Sequence, residues 1–198
     1  MKAVILCGGL SRRMGTNKAL MHWKGKRLAQ YGIDLVTALN LPVFLSVKQA
    51  DRDTFQKVFQ GCGIIPDENG LSLEGPARGI LSAHLLLPQE DWMVLSCDMP
   101  LLTPSMGRDL LRSHGVHPEA EVSLFSSQGI YEPLFGIYTS TALGHWLRQD
   151  ETGAWSSSSM KYLLSRVRVR AIPAKDRQIP FFLNANRPSD LDAGVREV

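Results

Sequence analysis

The segment LCGGLSRRMGTNKAL (6–20) gathers three glycines, Gly8, Gly9 and Gly15, and three cations, Arg12, Arg13 and Lys18, into one short stretch. Glycine tolerates positive φ and lets backbone N–H groups come close to an anion. Full positive charges around such a concavity serve no packing purpose, so the segment reads as a phosphate loop, with a purely structural turn as the alternative. Two common types are excluded. Gly9 and Gly15 stand one residue too far apart for G-x-x-x-x-G-K-[ST], and Thr16 and Asn17 intervene before Lys18. Adjacent glycines also fail the G-x-G-x-x-G dinucleotide pattern. The second chemical segment is VLSCDMP (94–100), an apolar run that ends in Asp98. A carboxylate carried to the rim of a buried strand is costly unless paired; Mg²⁺ is one partner, and a helix or turn cap is the other reading.

Other reactive side chains read more plainly. His114 and His117 form H-x-x-H, but HGVHP has the look of a loop with no further ligands nearby. His22, His84 and His145 read as ordinary surface or core histidines. Cys97 reads as a small buried thiol at a strand end. The four tryptophans, Trp23, Trp92, Trp146 and Trp155, show no stacking periodicity that would serve nucleic acid.

Strands and helices alternate so as to deliver both segments to one place. AVILC (3–7) reads as a buried strand, residues 27–40 as an amphipathic helix through Leu28, Tyr31, Leu35 and Leu39, and PVFLSV (42–47) as the second strand. DTFQKVFQ (53–60) is a short helix, GII (63–65) a brief strand, and Pro76 opens a helix through Leu87. WMVLSC (92–97) is a strand and 104–113 a helix. AEVSLF (120–125) and PLFGIY (133–138) read as strands, and STALGHWLRQ (140–149) as a helix; a serine among 156–159 caps a further helix. RVRVRAI (166–172) alternates Arg166, Arg168 and Arg170 with Val167, Val169 and Ala171, a half-buried strand bearing an arginine comb. That comb has two readings: an anion or acidic-partner site, or a guard against edge pairing. The alternation predicts an α/β fold, a three-layer α/β/α sandwich around a Rossmann-like, mainly parallel sheet with an irregular mixed later portion. In such sheets ligands collect beyond the carboxyl ends of the strands, where both chemical segments fall.

At 198 residues, one domain over 1–198 is the expectation. Hydrophobic residues at 44% and charged residues at 21% are ordinary globular composition and exclude a disordered or collagen-like chain. The net charge of +3 is too small for a general nucleic-acid binder. Its distribution is uneven: no acid precedes Asp34, whereas seven cations do, and six cations lie between Lys161 and Arg177 against only Asp176. This suggests a local polyanion site, or else a solvated basic face. Three cysteines, Cys7, Cys62 and Cys97, make an odd count with no C-x-x-C, which fits a reducing compartment. The opening apolar run is shorter than the roughly 7–15 residues of a signal-peptide core. No run reaches the ~18 apolar residues of a membrane span, so a cytoplasmic protein without membrane partners is expected.

The loop 6–20 resembles the signature of the molybdenum cofactor guanylyltransferases, a branch of the nucleotidyltransferase superfamily: Leu-Ala-Gly-Gly, then Ser-x-Arg-Met-Gly and, after two or three residues, Lys. Four further segments follow in the family's order: PDENGLSLEGPARGI (66–80), SCDMPLL (96–102), YEPLFGIY (131–138) and FLNANRPSDL (182–191). The loop is shared across the superfamily, whereas Asn-x-Asn before Pro and an acidic-Leu pair is more particular to the guanylyl branch. The resemblance implies that Leu6, Cys7, Gly8 and Gly9 contact a nucleotide through backbone, and that Lys18 neutralises its phosphates. It implies further that Asp67 lies by guanine or ribose, that Asp98 holds Mg²⁺, and that Asn184 and Asn186 face the pterin substrate or complete the metal site. Departures are Cys7 for alanine, GPARG with Arg78 for Gly-Pro-Leu-Ala-Gly, Ser46 where some relatives have asparagine, and Arg187 for threonine.

The reaction so implied is in-line transfer of GMP from GTP to the terminal phosphate of molybdenum-molybdopterin, with Asp98, Arg13 and Lys18 as the catalytic residues and pyrophosphate as the leaving group. An ionised phosphate nucleophile needs no general base, so a Ser-His-Asp array is not required. The implied partners are GTP, the molybdopterin and proteins that deliver or accept the cofactor. The rivals are a cytidylyltransferase for the same cofactor, a carrier that binds nucleotide without transferring it and, less well matched, a sugar-phosphate nucleotidyltransferase. Glu132, in YEPLFGIY, follows a form seen in the family and is a candidate to reach the second substrate.

Overall fold

Strand β1 (Lys2–Leu6) alternates its side chains between two cores in the computed structural model, which describes residues 1–8 and 17–185. Ala3, Ile5 and Cys7 enter one core and Val4 and Leu6 the other. Both faces are covered, which is why the strand reads as an unbroken apolar run. After the loop come a 3-10 turn (Lys18–Leu20) and a small hairpin of β2 (His22–Trp23) and β3 (Lys26–Arg27). The hairpin turns on Lys24 and Gly25, both at positive φ (46° and 82°), as a two-residue turn of the right twist demands. It was not foreseen, because two-residue strands carry no periodicity.

Helix α1 (Leu28–Thr37) leads into β4 (Val43–Val47), and α2 (Arg52–Val58) into β5 (Gly63–Pro66). Helix α3 (Pro76–Leu86), with proline in its first turn, leads into β6 (Trp92–Ser96). Helix α4 (Pro104–Val116), β7 (Val122–Ser127), β8 (Ile130–Tyr138), α5 (Ser140–Glu151), α6 (Met160–Leu164) and β9 (Val169–Pro173) follow, and further 3-10 turns lie at Gln49–Asp51 and Asp176–Phe182. As expected, a serine caps α6: the Ser159 side chain accepts from the Tyr162 amide.

The seven-stranded sheet has the order β5-β4-β1-β6-β8-β7-β9. All neighbours are parallel except at β8, which runs against both β6 and β7. Helices α1, α2 and α4 supply one core and α3, α5 and α6 the other, giving the three layers and the mixed later portion expected. The chain builds outward from β1 to β4 and β5, then returns to lay β6 on the other side of β1. That reversal leaves a crevice at the carboxyl ends of β1 and β6.

Two local expectations are corrected. Helix α4 continues through His114 to Val116, so His114 sits in a helix and not in a loop. Its Nε2 lies 3.6 Å from Asp91 Oδ2, while His117 Nδ1 is 3.1 Å from Glu119 Oε1, so the two imidazoles face different carboxylates and share no site. The arginine comb does not form, because the strand starts only at Val169. Arg166 stacks over the Tyr162 ring at 5.0 Å, and Arg168 donates to the Glu119 carbonyl and pairs with Glu121, which leaves Arg170 as the one arginine of the three on the strand. Among the described residues no helix is long and apolar enough to cross a membrane.

Candidate functional site

The glycine-rich loop leaves the sheet where β1 ends. The Cys7 amide donates to the Ser46 carbonyl at 2.8 Å, and its carbonyl accepts from Asn17 Nδ2 at 2.9 Å. Asn17 is nearly fully buried and also donates to Asp51 Oδ2, while its Oδ1 accepts the Ala19 amide and caps the 3-10 turn that carries Lys18. One side chain therefore ties the far end of the loop to its root. Asn17 escaped the sequence reading; its signal was the preference of asparagine for the start of a turn. Gly9, Arg13 and Asn186, with Arg12, Gly15 and Arg187, lie outside the described residues.

Lys18 and Asp98 are brought together: Nζ stands 3.1 Å from Oδ2, and both side chains are mostly buried. Ser96 Oγ donates to Asp98 Oδ1 at 2.6 Å. The Asp98 side chain thus caps no helix; Thr103 does that for α4. The Asp98 carbonyl accepts the Ala185 amide at 2.7 Å, which brings the exposed Asn184 and its segment beside the carboxylate. Ala185 itself packs against Trp23 and Leu28, so the β2–β3 hairpin helps seat that segment. Leu6 completes the floor, its carbonyl accepting the Cys97 amide at 3.3 Å. Cys7 and Cys97 are both free and buried; burial, with Cys97 alongside, raises the Cys7 thiol well above its ordinary range, which suits an inert packing role.

On the β5 side, Asp67 follows the strand and accepts from Ser46 Oγ at 3.0 Å through Oδ1. Its Oδ2 lies 3.4 Å from where a Cβ on Gly8 would stand, so this carboxylate leans directly over the loop's first glycine. Burial raises its pKa, and the Ser46 hydrogen bond and the charges of Arg78 and Lys48 offset only part of that. Helix α3 approaches so closely that a Cβ at Gly79 would fall 2.4 Å from Ser46 Oγ. Ser46, where some relatives have asparagine, thus orients the Asp67 carboxylate. Arg78 donates from Nε to the Leu73 carbonyl at 3.0 Å, clasping the β5–α3 loop.

That loop has a second clasp. Asp150 on α5 accepts the amides of Ser72 and Leu73, both at 2.9 Å, and the Ser72 hydroxyl. Leu71 and Leu73 are thereby folded into the second core, and Asp67 and the start of α3 are held at opposite ends of one anchored segment. No spacing pattern in the sequence pointed to Asp150.

Beyond the carboxyl ends of the strands, then, stand a carboxylate–ammonium pair in the centre, a desolvated carboxylate on the β5 flank and a glycine-bearing loop root between them. This is an arrangement for holding an anionic, phosphate-rich ligand with a polar group to one side.

Comparison with known proteins agrees. The model of the MobA-like NTP transferase domain matches residues 3–167. A molybdenum cofactor biosynthesis bifunctional protein of Synechocystis is 31% identical over 76% of this chain, which spans 42% of that protein's length. A probable molybdenum cofactor guanylyltransferase of Flavobacterium johnsoniae is 31% identical over 70% of this chain and 68% of its own. In fold, the chain matches the crystal structure of molybdopterin-guanine dinucleotide biosynthesis protein A from Archaeoglobus fulgidus, with a TM-score of 0.78 and 21% identity over 98% of this chain and 96% of that one.

Proposed function

The chain belongs to the MobA-like NTP transferase family, and from that premise we propose that it transfers GMP from GTP to the terminal phosphate of molybdenum-molybdopterin, releasing pyrophosphate. The observation that carries this reading is the Lys18–Asp98 pair at the sheet's switch point with Asp67 on its flank. The names of the Flavobacterium and Synechocystis relatives support the acceptor.

A phosphate oxygen of the acceptor attacks the α-phosphorus of GTP, and the bond from that phosphorus to the bridging oxygen of the β-phosphate breaks. The attacking phosphate is already ionised, so no proton has to be removed and no general base is needed. The obstacle is repulsion between two polyanions. Lys18, with Arg13 from the loop, offsets it and stabilises charge on the departing pyrophosphate. Leu6, Cys7, Gly8 and Gly9 would contact the nucleotide through their backbone. Asp67, fixed by Ser46, offers carboxylate oxygens to the N–H edge of guanine, and Asn184 and Asn186 would serve the acceptor.

The Asp98 carboxylate fits Mg²⁺: it is a hard oxygen donor, and among the described residues no three metal-binding side chains converge, so one carboxylate and the substrates' phosphates would share the ion. When bound there, Mg²⁺ supplies Lewis-acid charge neutralisation on the phosphates.

The test is calorimetry with GTP, CTP and ATP, each with and without Mg²⁺, followed by pyrophosphate release with the acceptor. Mg²⁺-dependent GTP binding that weakens in Lys18→Ala is expected. Preference for CTP moves the chain to the cytidylyl branch, binding without pyrophosphate release makes it a carrier, and no nucleotide binding at all refutes the reading.

A further inference from the structure

Glu132 opens the other flank of the same crevice. Strand β8 pairs with β6 in the register Trp92↔Tyr138 to Leu95↔Phe135. Because β8 runs against β6, its first residues, Glu132 among them, lie at the carboxyl end of β6, the end at which Asp98 follows the strand. The sheet order places β8 two strands from β1 on one side, as β5 lies two strands away on the other. With strands ~4.8 Å apart, the Asp67 and Glu132 positions stand roughly 19 Å apart across four strand intervals, with the Lys18–Asp98 pair between them.

The local backbone is irregular at this point. Leu124 pairs with Gly136, yet Ser126 pairs with Tyr131, so β8 carries extra residues between Tyr131 and Gly136, among them Glu132. Bulges of this kind re-aim side chains and gather beside active sites. The preceding turn is fixed by positive φ at Gln128 and Gly129 (50° and 79°). Burial raises the pKa of the half-buried Glu132 carboxyl, and among the described residues it has no hydrogen-bond or ion-pair partner. A carboxylate kept partly out of water without a partner is costly unless a ligand supplies donors.

A pterin of the 2-amino-4-oxo type presents two adjacent donors, N3–H and the 2-amino group, which is the same edge that guanine presents. We propose that Glu132 binds this edge of the acceptor pterin through its two carboxylate oxygens, so that equivalent carboxylates on opposite flanks, Asp67 and Glu132, read the two heterocycles that the reaction joins. This rests on the function proposed above and assigns the residue that recognises the acceptor ring.

The probes are neopterin monophosphate, a pterin with a terminal phosphomonoester, and its lumazine counterpart, in which an oxo group replaces the 2-amino donor. Each is titrated into the wild-type chain and into Glu132→Gln and Glu132→Ala in the presence of Mg²⁺ and α,β-methylene GTP. Hydrogen bonds to a charged group set the scale. The wild type should bind the pterin about 10- to 100-fold more tightly than the lumazine, and the variants should lose that preference. Affinity for GTP should stay at the wild-type value, which also certifies the fold of the variants. Variants that discriminate as well as wild type overturn the assignment, as does a wild type that does not discriminate. Loss of GTP or Mg²⁺ affinity in Glu132→Gln would instead put this carboxylate on the nucleotide or metal, and also overturns it. A wild type that binds no GTP refutes the parent reading, an outcome distinct from all of these.

Discussion

Truncating Asp150 to alanine should destabilise the whole fold although the residue lies on a helix outside the central pair. Its carboxylate accepts the Ser72 and Leu73 amides at 2.9 Å each, together with the Ser72 hydroxyl. Ser72 is exposed, so water replaces its lost acceptor at small net cost. Leu73 is only 1% exposed, and the Asp150 carboxylate is the acceptor its amide uses. Leaving this buried amide without its charge-assisted partner costs about 1.5–3 kcal/mol, less what is regained by no longer desolvating a carboxylate. The net is about 2 kcal/mol from a total of about 5–15 kcal/mol. For a chain of this size that lowers the melting temperature by about 4–8 °C. Asp150→Asn keeps one acceptor oxygen and should fall between the two. Urea unfolding and differential scanning calorimetry measure the loss, and amide hydrogen exchange at Leu73 locates it. A melting temperature for Asp150→Ala within about 2 °C of wild type, or unchanged protection at Leu73, would refute the claim that this carboxylate anchors the β5–α3 loop.

Three further outcomes follow from the charges of the site and its surroundings. Because burial raises the folded pKa of Asp67 above its unfolded value, its charge costs stability as pH rises through the interval between the two. Asp67→Asn should therefore melt higher than wild type at pH 7, the difference closing in acid, while GTP binding weakens; a lower melting temperature at pH 7 would contradict this. Lys18 sits on an Asp98 oxygen, so Lys18→Ala should bind Mg²⁺ more tightly without nucleotide and GTP less tightly with it, read by paired calorimetric titrations. Asp91 is held below the usual carboxylate range, chiefly by His114 and also by accepting the Ser140 amide at 2.7 Å at the start of α5. Its contribution is present above the unfolded pKa and lost as pH falls through the folded one. The stability gap between wild type and Asp91→Asn in urea should accordingly shrink toward pH 3, and a gap constant with pH would exclude the pairing.

Strand and helix positions were legible wherever a segment was buried on both faces or amphipathic. WMVLSC and the 27–40 periodicity became β6 and α1 with their ends shifted by one to three residues. The comb of arginines failed for a definable reason. Alternation of charge and valine mimics a half-buried strand, but the turn leaving α6 takes Arg166, and Arg168 finds its partners in Glu119 and Glu121 before the ladder begins. Tertiary hydrogen bonds decided where that strand starts, and local pattern does not encode them.

The same division runs through the site. Lys18 and Asp98 could be read because a full charge at a strand end or in a glycine-rich loop is anomalous by itself, whereas Asp67 was pointed to only by the family resemblance. Asn17 and Asp150 could not, since each acts by satisfying a group distant in sequence: Asn17 holds Cys7 and Asp51, and Asp150 holds a loop on another element. Ser96, only two residues from Asp98, was silent because a serine at a strand end carries no pattern of its own, yet it turns that carboxylate. These residues set where the charges point. Asp98 shows why that matters. Both of its oxygens and its carbonyl are engaged, by Lys18, Ser96 and Ala185, so the carboxylate is oriented before any ligand arrives and need not be reorganised when charge develops beside it. A charge legible in sequence thus identifies the chemistry that is possible, while the silent hydrogen-bonding residues determine whether it is held in place to act.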